Sequence, residues 1–294
     1  MRVTTGKKAQ QPPWSRWKRS FGRGVLTVIL LGFTFVILVP FIWMILMSVR
    51  TTGEILSAPY GLPTVMRWEN YANLMFDPQI RFYRYFYNSA FVSFFALLFT
   101  TLLATMGGYG FGRQRYAFTF RGGVFMLLLF ALMLPAQIMY IPQFIMMTKY
   151  GLLNSKWSLV LLYTATGLPV STYLMRTYFS QLPQEMEDAA RIDGCNDWRL
   201  FWQVMLPLAR PAVATVLLLN FVHFWNELLL AVTMVTDPAN RTLPVAMMHF
   251  VGEHGADYAM AASSLVTAML PLLLAYLFLS ERFIEGMTAG AIKG

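Results

Sequence analysis

Six stretches of this 294-residue chain are each long and apolar enough to cross the hydrocarbon of a bilayer as a helix. They cover about 25–47, 85–112, 122–148, 157–175, 212–235 and 258–280, each at or near the roughly 20 residues that such a crossing needs. None of the first four carries an acid or a base in its apolar centre. The composition agrees: 57% of residues are hydrophobic, 13% are charged and mean hydropathy is +0.51, which is too apolar for a soluble domain of this length. Pro40, Pro135, Pro142, Pro169 and Pro271 fall inside these stretches. Neighbouring helices and side chains can satisfy the backbone groups that a proline frees, so kinked spans are expected. The reading is an all-α membrane protein with six transmembrane helices in one domain over 25–282, not a barrel.

The segment 1–24 is basic, and "WSRWKRSFGRG" resembles the start of a signal peptide. The apolar run that follows is too long for one, and "MILMSVRTT" offers no small-residue cleavage site, so an uncleaved anchor is expected. Sixteen of the 23 lysines and arginines lie in the N-terminal segment, the 113–121 and 176–210 connections and the tail. The positive-inside rule then places both termini in the cytoplasm, with 283–294 as a cytoplasmic tail. A net charge of +9 follows from this bias and does not point to nucleic acid. Cys195 is the lone cysteine, and His223, His249 and His254 lack ligand spacing, so no metal is expected. Neither G-x-x-x-x-G-K-[ST] nor G-x-G-x-x-G occurs, so no nucleotide cofactor is expected on this chain.

Between spans four and five sits a charged segment, 182–207, "LPQEMEDAARIDGCNDWRLFWQVMLP". Pro183 suits a helix first turn, and Glu185, Glu187 and Asp188 follow where the helix dipole favours negative charge. After Asp193, Gly194 can take the left-handed conformation that closes the helix. Asn196 can cap a second helix, expected to run to about Met205 and to end at Pro207. Trp198, Phe201, Trp202 and Met205 form an apolar stripe at i, i+3, i+4, i+7. Ala189 and Ala190 leave the first helix thin, so another surface can approach closely. From pattern alone, two readings stand: an amphipathic helix on the lipid surface, or a docking knob.

The same segment resembles the cytoplasmic loop motif of ABC importer permeases, E-A-A, three residues, G, nine residues, I-x-L-P. Here it reads Asp188-Ala189-Ala190, Gly194 and Val204-Met205-Leu206-Pro207, with Asp for Glu and Val for Ile. "SVRTTGEILSAPYGLP", "NSAFVS", "GLLN", "WNELLLA" and "EGMTAGAIKG" are similar to pieces of the carbohydrate-uptake branch, whose subunits include the smaller maltose permease. The resemblance implies a multi-pass permease of a prokaryotic inner membrane, without catalytic residues of its own. It implies a second, different permease, two cytoplasmic ATPase subunits that bind ATP and Mg, and an extracytoplasmic binding protein that delivers a sugar. Glu187, Asp188, Ala189, Ala190, Asp193, Gly194 and Pro207 would belong to a coupling helix region seated on the ATPase.

On span five, Asn220, His223 and Glu227 lie at i, i+3, i+7 with Asn226 beside them. Ionisable groups at that depth usually face a bundle interior or a water-filled path. They are read either as a lining of the translocation path or as hydrogen-bonded glue between helices. An ion-coupled secondary transporter using Glu227 and His223 is the alternative function. The connection 236–257, with Asp237, Arg241, Glu253 and Asp257 beside apolar Val245 to Met248, is expected to meet the binding protein.

Overall fold

A small residue recurs at every fourth position through Ala96, Thr100, Ala104, Gly108 and Gly112, which places all five on one side of a helix. In the computed structural model this side meets the most buried of the four helices that are long and apolar enough to cross a membrane. The structure describes residues 13–116, 118–251 and 257–291, without the side chains of 13–23, 249, 251 and 281–291. It is all-helical, about 80% helix, with no strand among the described residues. The helices are α1 Pro13–Ser48, α2 Thr52–Ser57, α3 Glu69–Phe76, α4 Phe82–Gly112, α5 Arg121–Phe130, α6 Ala136–Lys149 and α7 Lys156–Gln181. They continue with α8 Glu185–Ile192, α9 Asp197–Arg199, α10 Leu206–Leu208, α11 Arg210–Trp225, α12 Leu229–Met234, α13 Leu243–Met247 and α14 Tyr258–Ala291.

The small ladder of α4 lets α7 approach closely along its length. A Cβ on Gly108 would stand 2.4 Å from Met175 Cβ, and one on Gly112 would stand 3.1 Å from the Arg176 carbonyl oxygen. Close backbone approach of this kind is how helices associate where lipid removes the hydrophobic drive between them. Around α7 the core gathers Val92, Ala96, Leu159, Val160, Leu162, Tyr163 and Phe224. Towards the end that carries Gly194 it continues into Ala104, Tyr109, Met175, Phe179, Leu200, Phe201 and Met205. At the opposite end, which carries Arg50, Leu74, Phe82, Trp225 and Leu243 close a third cluster. By contrast, the apolar stretch Gly24–Ser48 of α1 buries only Ser48 and packs mainly on α14.

Four helices are long and apolar enough to cross a membrane: Gly24–Ser48, Phe82–Gly112, Lys156–Gln181 and Tyr258–Ser280. The number rises to six if two bent pairs each count as one span. The stretch 122–148 is one of these pairs, not one straight helix: Arg121–Met133 and Ala136–Lys149 meet at 105°. The cause is Pro135, which holds Leu134 extended at ψ 127° and starts α6 from outside its first turn. Pro40, Pro142, Pro169 and Pro271 stay inside helices.

The stretch 212–235 also differs from a single helix, because α11 stops at Trp225 and the chain becomes helical again only at Leu229. At its other end α11 meets Asp197–Leu208 at 74°. Nor does Pro207 end the helix before it. Residues Leu200–Met205 form a π-turn, the chain stays helical through Leu208, and the bend falls at Ala209. A π-turn shifts the hydrogen bonds to i→i+5, here from the Leu206 amide to Phe201, and so admits a proline that cannot donate.

Candidate functional site

The charged segment folds as helix, glycine turn, helix. α8 begins after Pro183 and Gln184 and closes at Asp193, and Gly194 has φ +81°. The Cys195 amide donates back to the Ala190 carbonyl at 3.0 Å, and the Asn196 side chain accepts the Arg199 amide at 2.9 Å. The expected apolar stripe is divided. Phe201 and Met205 are buried with Tyr109 and Phe179, whereas Trp198 and Trp202 are exposed, because the π-turn rotates Leu200 into the core with Phe201.

α8 has two unlike faces. Glu187 and Ala190 are buried in the chain itself. The Glu187 carboxylate pairs with Arg113 Nε at 2.6 Å, and Arg113 Nη1 also donates to the Leu182 carbonyl at 2.8 Å. Arg191 pairs with Asp197 and reaches the Tyr116 hydroxyl at 3.4 Å. Through Arg113 and Tyr116, α8 is therefore keyed to the connection between α4 and α5. The other face presents Glu185, Asp188, Ala189 and Ile192, at i, i+3, i+4, i+7, to the surroundings, with Asp193 and Gly194 exposed at the tip and Pro207 half-buried.

The polar residues of 220–227 are not one cluster. Asn220 is buried and donates to Ser171 Oγ and the Val216 carbonyl, both at 2.8 Å, so it joins α11 to α7. Its Oδ1 lies against Gly167, where a Cβ would stand 2.5 Å away. Asn226 is exposed and donates to its own helix, to the Val222 carbonyl at 2.8 Å. Glu227 lies in the break after α11. Its carboxylate accepts the amides of Leu230 at 2.8 Å and Ala231 at 2.9 Å and the Tyr163 hydroxyl at 3.0 Å. It is the cap of α12, tied to α7, which gives a physical reason for the helix to stop and restart. His223 is exposed into a cleft of about 410 Å³ that Tyr140, Gln143 and Thr166 also line.

Three groups that sequence reasoning did not single out organise the Arg50 end. Arg50 is buried and donates to the carbonyls of Glu54 at 2.7 Å and Ala58 at 2.8 Å, folding "SVRTTGEILSAP" back on itself. The Thr64 hydroxyl and the Thr51 amide both donate to Glu54 and hold its carboxyl below the usual carboxylate range. In "NSAFVS", Asn88 donates to the carbonyls of Ala239 and Arg241 at 3.0 Å, and Ser89 accepts the Leu243 amide at 2.8 Å. In "GLLN", Asn154, at φ 63°, accepts from Thr236 and Asp237. Their signal was a polar side chain inside a family-like phrase at the end of an apolar run. The apolar part of 236–257 packs inward, with Leu243, Val245 and Ala246 buried and Met248 exposed; Glu253 and His254 lie outside the described residues.

Residues 104–285 match the family described as "Binding-protein-dependent transport system inner membrane component". The diacetylchitobiose uptake system permease protein NgcG of Streptomyces coelicolor is 35% identical over 267 residues, covering 90% of this chain and 87% of that one. The trehalose/maltose transport system permease protein MalG of Thermococcus litoralis is 33% identical over 260 residues, covering 87% and 92%. A chain in the crystal structure of a bacterial ABC transporter involved in the import of the acidic polysaccharide alginate has a TM-score of 0.75 at 24% identity, covering 93% of this chain and all of that one. At that identity the likeness speaks for the fold alone.

Proposed function

We propose that this chain, which belongs to the family of binding-protein-dependent transport system inner membrane components, is a permease subunit of an ATP-driven importer of a sugar or oligosaccharide. The observation that carries this reading is the match over nearly the whole chain to permeases named for oligosaccharide or disaccharide uptake. In this reading the chain crosses the membrane six times, each bent pair serving as one crossing, with both termini and the Gly194 end in the cytoplasm. It pairs with a second, different permease. Two cytoplasmic ATPase subunits bind ATP and Mg, and a binding protein delivers the sugar at the Arg50 end.

The geometry of α8 supports a coupling role. A helix buried on one face by Glu187 and Ala190, and exposing Asp188 and Ala189 on the other, can be pushed from outside and pass the force to α4 and α7 through its own packing. Asp197–Leu208, at 74° to α11, extends this surface under the bundle. A proton relay through Glu227 finds less support, since both of its oxygens already accept from fixed donors.

Uptake of radiolabelled maltose, arabinotriose and N,N′-diacetylchitobiose into proteoliposomes holding the whole transporter and its binding protein tests the reading. Uptake should require ATP and ignore protonophores. Uptake that follows a proton gradient without ATP would overturn it in favour of the secondary transporter.

A further inference from the structure

Two membrane-crossing stretches of this chain are interrupted part-way along their length, and both interruptions border the same cleft. Leu134 and Ala136 flank the break between α5 and α6, and Glu227 lies in the break between α11 and α12; all three line the cavity of about 410 Å³. The opposite wall is the stretch Tyr163–Pro169 near the middle of α7, which places the cavity roughly 10–20 Å along that helix from Lys156. Non-helical backbone at such depth is tolerated where it is buried in protein or lines a water-filled space. Two breaks that converge on one cavity mark a place where a polar solute can be held. The volume is in the range of ligand pockets, about 300–1,000 Å³.

The polar groups around this cavity divide into spent and free. Glu227 is spent on Tyr163 and the start of α12. Gln143 Oε1 is buried without a hydrogen-bond partner. Neither the Tyr140 hydroxyl nor the His223 imidazole makes a hydrogen bond among the described residues, and Thr166 Oγ1 donates to the Tyr163 carbonyl with its lone pairs left over. Tyr140 and Gln143 lie at i, i+3 on one face of α6, so a ring face and a carboxamide point into the same space. An apolar ring beside uncharged donors and acceptors matches the alternation of C–H faces and hydroxyls on a sugar.

The charge of the wall decides the class of solute. Among the described residues no lysine or arginine lines the cavity, and its one carboxylate belongs to Glu227. A uronate or a phosphate ester would lose its hydration there with no lysine or arginine to pair with and would meet that carboxylate. We propose that the cleft between the two helix breaks is a binding site for neutral carbohydrate on the translocation path, held by Tyr140, Gln143, Thr166 and His223. The site rests on the importer reading and adds to it a direct contact between this subunit and an uncharged sugar.

Cysteine accessibility in membrane vesicles carrying the complete transporter tests it. In a Cys195→Ser background, Gln143→Cys and Thr166→Cys should react with the water-soluble thiol reagent 2-(trimethylammonium)ethyl methanethiosulfonate about tenfold faster than Ile141→Cys, which is exposed on α6 but outside the cavity. Excess maltose, arabinobiose or N,N′-diacetylchitobiose should slow the reaction several-fold, while glucuronate and glycerol 3-phosphate leave it unchanged. Reaction at both positions no faster than at Ile141→Cys, protection by no neutral sugar, or equal protection by the anions would overturn the site. If the same vesicles still show ATP-driven uptake, the importer reading stands without it; if wild-type vesicles show none, both fall together.

Discussion

A carboxylate with no exposed side-chain area, paired with a guanidinium that is only 5% exposed, is held by geometry with little screening from solvent. Glu187 and Arg113 are such a pair, and removing one partner leaves the other charged and buried. Glu187→Gln should therefore destabilise the protein by about 3–5 kcal/mol, read as a lowered unfolding midpoint of the purified transporter. Asp188→Asn, one position further on and exposed, should stay within about 0.5 kcal/mol. Equal effects at the two positions would mean that Glu187 is not the anchor of α8. The sequence shows two neighbouring acids of the same kind; which of them turns inward depends on Arg113, 74 positions away, and is not legible locally. The same holds for Glu227, whose role as a cap rests on Tyr163. Arg50, Asn88 and Asn154 are the converse case: phrases noticed for their resemblance turn out to hold the carbonyls and amides of surface connections.

At the scale of the element, α8 shows why two adjacent alanines are not equivalent. Ala190 is packed among Phe201, Met205 and their neighbours, so Ala190→Trp overpacks the chain's own core, at about 1–3 kcal/mol, and says nothing about a partner. Ala189 is exposed on the outer face. Ala189→Trp should abolish uptake while leaving the unfolding midpoint and the membrane insertion of the chain unchanged. Ala189→Cys should form a cross-link to a cysteine-bearing ATPase subunit. Unimpaired uptake by Ala189→Trp together with no cross-link would favour a helix lying on lipid. The helix–glycine–helix form was legible because each step has a local cause: the dipole and the acids, the left-handed glycine, and the Asn196 cap. The π-turn that follows was not. It arises where Pro207, the core around Phe179 and the bend at Ala209 have to be satisfied together.

For the whole molecule, the structure gathers Ser57 and Asp257 at the Arg50 end, where Thr52 Oγ1 donates to the Asp257 carboxylate at 2.6 Å. Thr119 and Cys195 lie at the other end, beside the connection that Arg113 and Tyr116 key to α8. With the charge bias of the sequence, this arrangement predicts that a membrane-impermeant maleimide labels Ser57→Cys and Asp257→Cys in intact cells but neither Thr119→Cys nor native Cys195. Labelling of Thr119→Cys in intact cells would refute the orientation. Hydropathy alone determined that the chain is a helical membrane protein, and motif spacing alone determined its family, because both are properties of residues close together along the chain. Only the tertiary structure decided which prolines bend the spans. Pro40 and Pro135 read alike, yet one remains inside a helix and the other separates two. Whether a freed backbone group is tolerated depends on the cavity or neighbour that receives it, and that is set by segments distant in sequence.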